Sequence, residues 1–453
     1  MAFSNLFLIS IVSIMYMSIG ITTVVNAWAV VNIAPPRMRT MASRHNNHPQ
    51  SKTASSQSTT TSLLLSSLAA TTTTTKESSV TELKKVLERE YATFFNPMRT
   101  EYYAPNVSFD DPLTSLAGVD AYKANVDMLS GRTLLGSILF QDGGINLHSI
   151  TGGGCEIKTI VTDEHEKVEI QDIITRWTLR FTMKVLPWKP TARFSGISVY
   201  KIKSVGDGGG VQIVGQLDYW DSINLKQGGG YEKVGKGEAL ADFLNQLKPG
   251  GFQASLAAPE LPYSLLRRGK DYEVRKYPAF FAVQLKYERR DEGFGTLGAF
   301  TSGTETPMGP AIMEVRGSNG GGGGGGGGGN NDKFMQWPLT YATPGSDTAP
   351  KPILALEKKK KMTEGGDGGP WKTCEIVAVP AKVIAVAEFS DASLEPVVRK
   401  SARQLRASLE RDGLACDVDD SSVTFAQYDA IFSMGKRRGE VWIELKDGGH
   451  PWC

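Results

Sequence analysis

The sequence predicts an α+β protein built from two folded units in series. Three observations carry that prediction. From residue 80 to 225, amphipathic helical spacing gives way to long runs alternating between apolar and polar residues, the period of strands. Further on, one phrase occurs twice: "YEVRKYPAFFAV" at 272–283 is echoed by "CEIVAVPAKVIAV" at 374–386, laying Glu273, Val274, Pro278 and Ala279 on Glu375, Ile376, Pro380 and Ala381. The length, 453 residues, exceeds what one ordinary core holds.

Residues 1–79 have a different texture. The first 76 residues contain no Asp or Glu. An uncharged run from Leu6 to Val25 ends at "VNAWAV", where Val25 and Ala27 have the small-residue spacing of a signal cleavage site. Arg37, Arg39, Arg44 and a Ser/Thr tract ending "TTTTTK" follow, the composition of an organelle transit peptide. This order resembles the two-part presequences of algae with complex plastids. The expectation is a disordered signal-plus-transit segment over 1–79 and a plastid protein with no membrane span in its mature part, since no second long apolar run exists.

Composition excludes several functions. A formal charge of +2 creates no field that would gather nucleic acid. Cys155, Cys374, Cys416 and Cys453 are far apart with no CxxC pair, so neither a zinc site nor a disulfide framework is signalled, and any metal stays unknown.

The first unit, 80–225, begins with "VTELKKVLEREYATFF", whose Leu83, Val86, Leu87, Tyr91 and Phe94 form one helical face capped by Thr81 or Ser79. "NVSFDDPL" reads as a strand broken by Pro112, "GVDAYKANVDML" as a helix, and four β-rich runs follow up to residue 223. Residues 226–261, with one short helix "EALADFLNQL", read as a linker.

In the region 262–453, each copy of the doubled phrase reads as a strand, a helix and two strands, a β-α-β-β unit. Proline donates nothing to a ladder, so Pro278 and Pro380 mark an edge, bend or bulge. The second helix carries the stripe Leu394, Val398, Ala402, Leu405 and Leu409, with Asp391 or Ser393 to cap it and Gly413 to end it. The first, "GFGTLGAF", holds three glycines and is intrinsically poor. A Gly-rich insertion, 317–332, reads as a flexible loop, and the "KKKK" run at 358–361 as a solvated loop. Two such units sharing a sheet generate a cleft between helix and sheet.

"FDDPLTSLAGVDAYKANVDML" with "TRWTLRF…VLPWKPTARFSGISVYKI" resembles the cone-shaped α+β fold of the nuclear-transport-factor and SnoaL-like superfamily, specifically an uncharacterised domain of plant and algal plastid proteins. "YEVRKYP", "CEIVAVPAKVIAVAEFS" and "AQYDA…RRGEVWIEL" together resemble the SOUL haem-binding family, whose fold is a distorted β-barrel of two β-α-β-β repeats. That resemblance implies non-catalytic binding of haem or another porphyrin as carrier or buffer, with plastid tetrapyrrole-handling proteins as partners. The turn after the first helix, "FTSGTE", departs from the family's "YIFGKN"-like turn. On this reading the haem-binding candidates are Leu394, Val398, Ala402, Leu405 and Leu409 for the macrocycle and Arg399, Arg403 and Arg406 for its propionates. His450, with Cys453 nearby, is a candidate axial ligand.

Two other functions compete. One is an enzyme or small-ligand binder using the cone, with the carboxylates Asp110 and Asp111 as pocket candidates and Tyr102, Tyr103 and Arg176 beside them; Asp-Asp-Pro is equally an ordinary turn. The other is a plastid scaffold with vestigial pockets.

Overall fold

A computed structural model describes residues 62–153, 158–161, 167–205, 210–248, 259–302, 307–317, 332–341, 350–364, 371–389, 395–416, 421–429 and 438–446. The chain is mixed α+β and forms two sheets.

The first begins with helix α1 (Ser62–Phe95). The expected start at Ser79 or Thr81 is absent, because the helix is already running at Ser62. The part of the Ser/Thr tract from residue 62 on is therefore helical rather than disordered. Extending a formed helix adds one bond per residue fixed, so a weak segment continues from a strong one. Its second half is anchored, with Val80, Leu83, Leu87 and Tyr91 in the core. At its end Thr93, Phe94 and Phe95 adopt positive φ, turning the Phe94 and Phe95 rings onto that core.

The sheet that follows contains β1 (Tyr103–Asp110), β2 (Ser115–Ala117), β3 (Phe140–Gly152), β4 (Lys158–Val161), β5 (Lys167–Met183), β6 (Thr191–Val205) and β7 (Gly210–Trp220). Their order is β2-β1-β7-β6-β5-β3, with β4 on β5. The β1–β7 pair is parallel. Helices α2 (Val119–Leu129), α3 (Leu134–Leu139), α4 (Asp221–Asn224) and α5 (Lys236–Leu247) complete the unit. Helix α5 falls in the stretch expected to be a linker, yet Ala239, Phe243 and Leu247 are buried in the first core. Their four-residue spacing gives it an apolar face, and that face needs cover.

The second sheet holds β8 (Ser264–Arg268), β9 (Glu273–Tyr277), β10 (Phe280–Lys286), β11 (Ala311–Arg316), β12 (Asp332–Tyr341), β13 (Glu375–Val379), β14 (Lys382–Phe389), β15 (Val423–Gln427) and β16 (Gly439–Glu444). Pro278 and Pro380 fall between β9 and β10 and between β13 and β14. Each doubled phrase is thus two strands rather than one, and each half runs β-β-α-β-β. The strand order is β13-β10-β12-β11-β15-β16-β14-β9-β8. Apart from β8, it reads the same from either end when β9, β10, β11 and β12 are laid on β13, β14, β15 and β16. The prolines mark where the chain crosses between the two ends of the sheet: β9 pairs with β14, and β10 with β13.

Side chains alternate across this sheet. Val274, Val283, Met313, Ala385, Phe425 and Val441 face one core; Tyr277, Ala282, Ile312, Ile384, Ala426 and Trp442 face another. Helices α6 (Arg290–Thr301), α7 (Lys351–Glu364) and α8 (Glu395–Arg411) supply the first of these faces with Leu297, Phe300, Ile353, Leu356 and the α8 stripe. Gly413 follows α8 at φ +71°, the left-handed conformation that ends a helix. The "KKKK" run lies in α7 rather than in a loop. Lys359 Nζ donates to the carbonyls of Phe300 (2.8 Å) and Ala299 (3.2 Å), at the end of α6, and Lys360 Nζ to that of Cys374 (2.7 Å). Most of the Gly-rich insertion lies outside the described residues.

An ionic seam joins the two units. Asp221 accepts from Arg176 Nη2 (2.7 Å), Tyr231 (2.5 Å) and Ser195 (2.5 Å), and Arg267 of β8 stands 3.9 Å away. Burial opposes the ionised form of Asp221, but the Arg176 and Arg267 charges prevail and its pKa is lowered. Nearby, Arg268 makes a bidentate pair with Asp242 of α5 at 2.9 and 3.0 Å. Backbone adds to it: Arg268 N donates to Ser195 Oγ at 2.7 Å, and Thr178 Oγ1 to the Leu265 carbonyl at 3.2 Å.

Candidate functional site

The α8 stripe is core. Val398, Ala402, Leu405 and Leu409 are at most 2% exposed and pack with the sheet and α6. Side chains at interior density present no free face to a ligand, so a macrocycle would have to displace them; Leu394 lies outside the described residues. The cations flank the helix: Arg403 is exposed, Arg399 and Arg406 half-buried. Arg399 Nε donates to Glu395 at 3.0 Å.

The face of the sheet away from the helices carries a groove of about 190 Å³, lined by Tyr277, Phe280, Ile312, Ile384 and Trp442 among others. It straddles the centre of the sheet. Phe280 and Lys382, Ile312 and Thr424, and Gln336 and Trp442 occupy matching positions in the two halves. Tyr277 and Trp442 stack at 4.9 Å and 24°. Beneath them Arg275 Nη1 donates to the fully buried Glu440 at 2.9 Å, while Trp442 Nε1 and Tyr428 donate to its other oxygen at 3.0 and 2.8 Å. That network fixes the indole plane. On the rim, Lys382 pairs with Glu444 at 2.6 Å.

A tetrapyrrole needs flat apolar surface and cations for its carboxylates; haem iron also takes His, Cys, Met or Tyr ligands. Among its described lining residues the groove supplies the surface and one cation, Lys382. Of its described lining residues only Tyr277 is of a ligating type. Tyr277 accepts from Arg275 Nη1 at 3.3 Å, and burial raises its pKa, which keeps the phenol protonated. Cys374 sits in the opposite core, its thiol pushed up to about 11 by burial. His450 and Cys453 lie outside the described residues. The fit is therefore to the macrocycle, not to its iron.

Comparison with known proteins bears on this unit directly. The family model described as SOUL heme-binding protein matches residues 258–444. The C-terminal unit belongs to the SOUL family. Ahead of the SOUL domain, the model of an uncharacterized conserved protein family, DUF2358, matches residues 81–207. A search of curated proteins finds no match. Among solved structures, a hydrolase from Listeria innocua is 10% identical, with 42% of this chain and 94% of that one covered and a TM-score of 0.26. An uncharacterized conserved protein from the same organism is 10% identical over 42% and 94%, with a TM-score of 0.28. The EcmrR C-terminal domain is 10% identical over 41% and 98%, at 0.25. At such scores these likenesses carry no functional argument. The SOUL heme-binding domain thus spans the doubled sheet and its groove.

The domain in front encloses a cavity of about 140 Å³, walled by Phe109, Phe140, Trp177, Phe181, Phe194 and Phe243. At its polar side Tyr91 Oη lies within hydrogen-bond distance of Thr175 (3.0 Å), Ser198 (3.1 Å) and Tyr200 (2.9 Å). Tyr122 Oη donates to Gln216, whose Nε2 donates to Asp218 at 2.8 Å. The expected carboxylate pair divides. Asp111 lines the cavity, its Oδ1 accepting from the Leu113 and Thr114 amides at 2.7 and 2.5 Å. Asp110 instead lies 3.9 Å from Lys233. Arg176 belongs to the seam, and Tyr102 donates to Glu82 at 2.8 Å, so neither joins the cavity. Tyr103 does line it, donating to Glu90 at 2.5 Å. Asp218 was not signalled as a site residue; the clue is strand alternation, since Gln216, Asp218 and Trp220 share one face of β7 and all line the cavity.

Proposed function

We propose that the chain binds haem or a related tetrapyrrole through its SOUL domain and serves as a non-catalytic carrier or buffer in a plastid. The observation that carries the reading is the SOUL match over 258–444. The groove supports it with an aromatic and aliphatic floor at the centre of the doubled sheet. On this reading the macrocycle lies against Tyr277, Phe280, Ile384 and Trp442, with one carboxylate on Lys382. Because no iron-ligating side chain is poised there among the described lining residues, binding on this reading is by stacking and charge. The acid-free leading segment with its signal-like and transit-like parts supports the plastid location, which a fluorescent fusion of the full chain tests.

Titrating the full chain with haemin and following the Soret band tests the binding. Saturation at one equivalent, weakened by Thr424→Trp, which fills the groove from a half-buried position, supports the reading. Retained binding in that variant and loss in Arg403→Glu/Arg406→Glu would move the site to the outer edge of α8. Absence of saturable binding would remove the carrier function.

A further inference from the structure

The cavity of the first domain lies outside the SOUL match and has a volume of about 140 Å³. Its lining has a one-sided charge: Glu90, Asp111 and Asp218 are present, and no Lys, Arg or His is among the described lining residues. All three carboxyls accept hydrogen bonds. Glu90 accepts from the Arg99 amide (2.6 Å) and from Tyr103 (2.5 Å), and Asp111 from its own turn. Asp218 is different. It accepts from Gln216 and Ser198, and no cation among the described residues pairs with it.

We propose that this cavity is a second ligand site, and that it takes a small apolar amine, protonated, with its ring among the Phe and Trp walls and its ammonium on Asp218. An anion placed there would meet three carboxyls. A neutral hydrocarbon would fill the walls and leave the carboxylate without a counter-charge. A monocyclic amine satisfies both halves of the lining, whereas the carboxylates of a tetrapyrrole carry the wrong charge for it.

The groups around Asp218 set the pH dependence. Tyr91 and Glu90 approach from α1, Tyr103 from β1, Asp111 from the turn, Tyr122 from α2, and Tyr200 from β6. All four phenols have pKa values raised by burial and stay neutral. Burial also raises the Glu90 carboxyl, and pushes Asp111 up to about 6 against the opposing pull of its turn amides and Lys236. Asp218 is itself pushed up to about 7 by burial, with Asp111 adding to the rise. An alkyl ammonium keeps its proton to about pH 10, so the amine binds more tightly as Asp218 ionises.

Calorimetric titration of the full chain with 2-phenylethylamine, 2-phenylethanol and phenylacetate tests this. The expected result is one-to-one binding of the amine at pH 8, weakened about tenfold at pH 6. The alcohol binds at least about tenfold more weakly than the amine and the acid shows no saturable heat. Asp218→Asn weakens the amine by a similar factor and leaves only the smaller pH dependence of Asp111, while Asp110→Asn, outside the cavity, leaves binding unchanged. No saturable heat with the amine, or equal affinity for amine and acid, overturns the proposal. So does a wild-type amine affinity that is the same at pH 6 and pH 8, a result that does not depend on any variant folding.

Discussion

Asp218 places a titratable group inside an apolar wall, and the cost is readable as a pH dependence of stability. Burial raises its folded pKa to about 7 from the ordinary 3.8. Between those values the folded chain holds a proton that the unfolded chain has lost, so this group's contribution to stability declines as pH rises from about 4 to about 7. Asp218→Asn keeps the Gln216 hydrogen bond and removes the ionisation. It should therefore raise the melting temperature at pH 8, by a free energy on the order of 2 kcal/mol, and change it little at pH 4; an equal shift at both pH values would contradict the assignment. His148 acts with the opposite sign. Its pKa is depressed to about 4 by burial and by the Arg176 charge, so the stability it contributes is lost as pH falls from about 6.5 to about 4. Asp221 is the reverse of Asp218, a buried carboxylate held ionised by cations. Asp221→Ala leaves Arg176 buried without its partner and should destabilise the chain by roughly 3–5 kcal/mol in urea melts.

Among the elements, α8 is the one whose role the structure redefines. Its stripe is legible from spacing alone, but spacing cannot distinguish a ligand wall from a core, because both require one apolar face. Burial decides for the core. Leu405→Ala should lower stability by roughly 2–5 kcal/mol while leaving haemin affinity unchanged at temperatures where the variant is folded. The doubled phrase was legible for a similar reason: β-branched residues alternating about a proline are local features. Its consequence was not, since the exchange of β9 and β13 between the two ends of the sheet depends on pairings about a hundred residues apart. The groove is invisible in sequence because its floor is assembled from both halves at the sheet centre. Helix α7 was hidden by its lysines. Ile353 and Leu356, three apart and buried, were the available signal, and Lys359 reads as solvated only until the carbonyl end of α6 is placed beside it.

At the scale of the whole molecule, the chain joins a DUF2358 domain with a carboxyl-lined aromatic cavity to a SOUL domain with a groove on its doubled sheet. Arg268–Asp242 and the Arg176–Asp221–Arg267 cluster hold β8 of the SOUL sheet against β5, β6 and α5 of the first unit. None of the described helices is long and apolar enough to cross a membrane. The central claim is that the SOUL groove holds a tetrapyrrole by its macrocycle rather than by its iron. The most direct test is to titrate the full chain in parallel with haemin and with metal-free protoporphyrin IX, following the Soret band and the quenching of tryptophan fluorescence. The account predicts one-to-one saturation by both, with dissociation constants within about threefold of each other, a difference under about 1 kcal/mol. Binding of haemin alone, with a spectrum characteristic of an axially ligated iron, would contradict it.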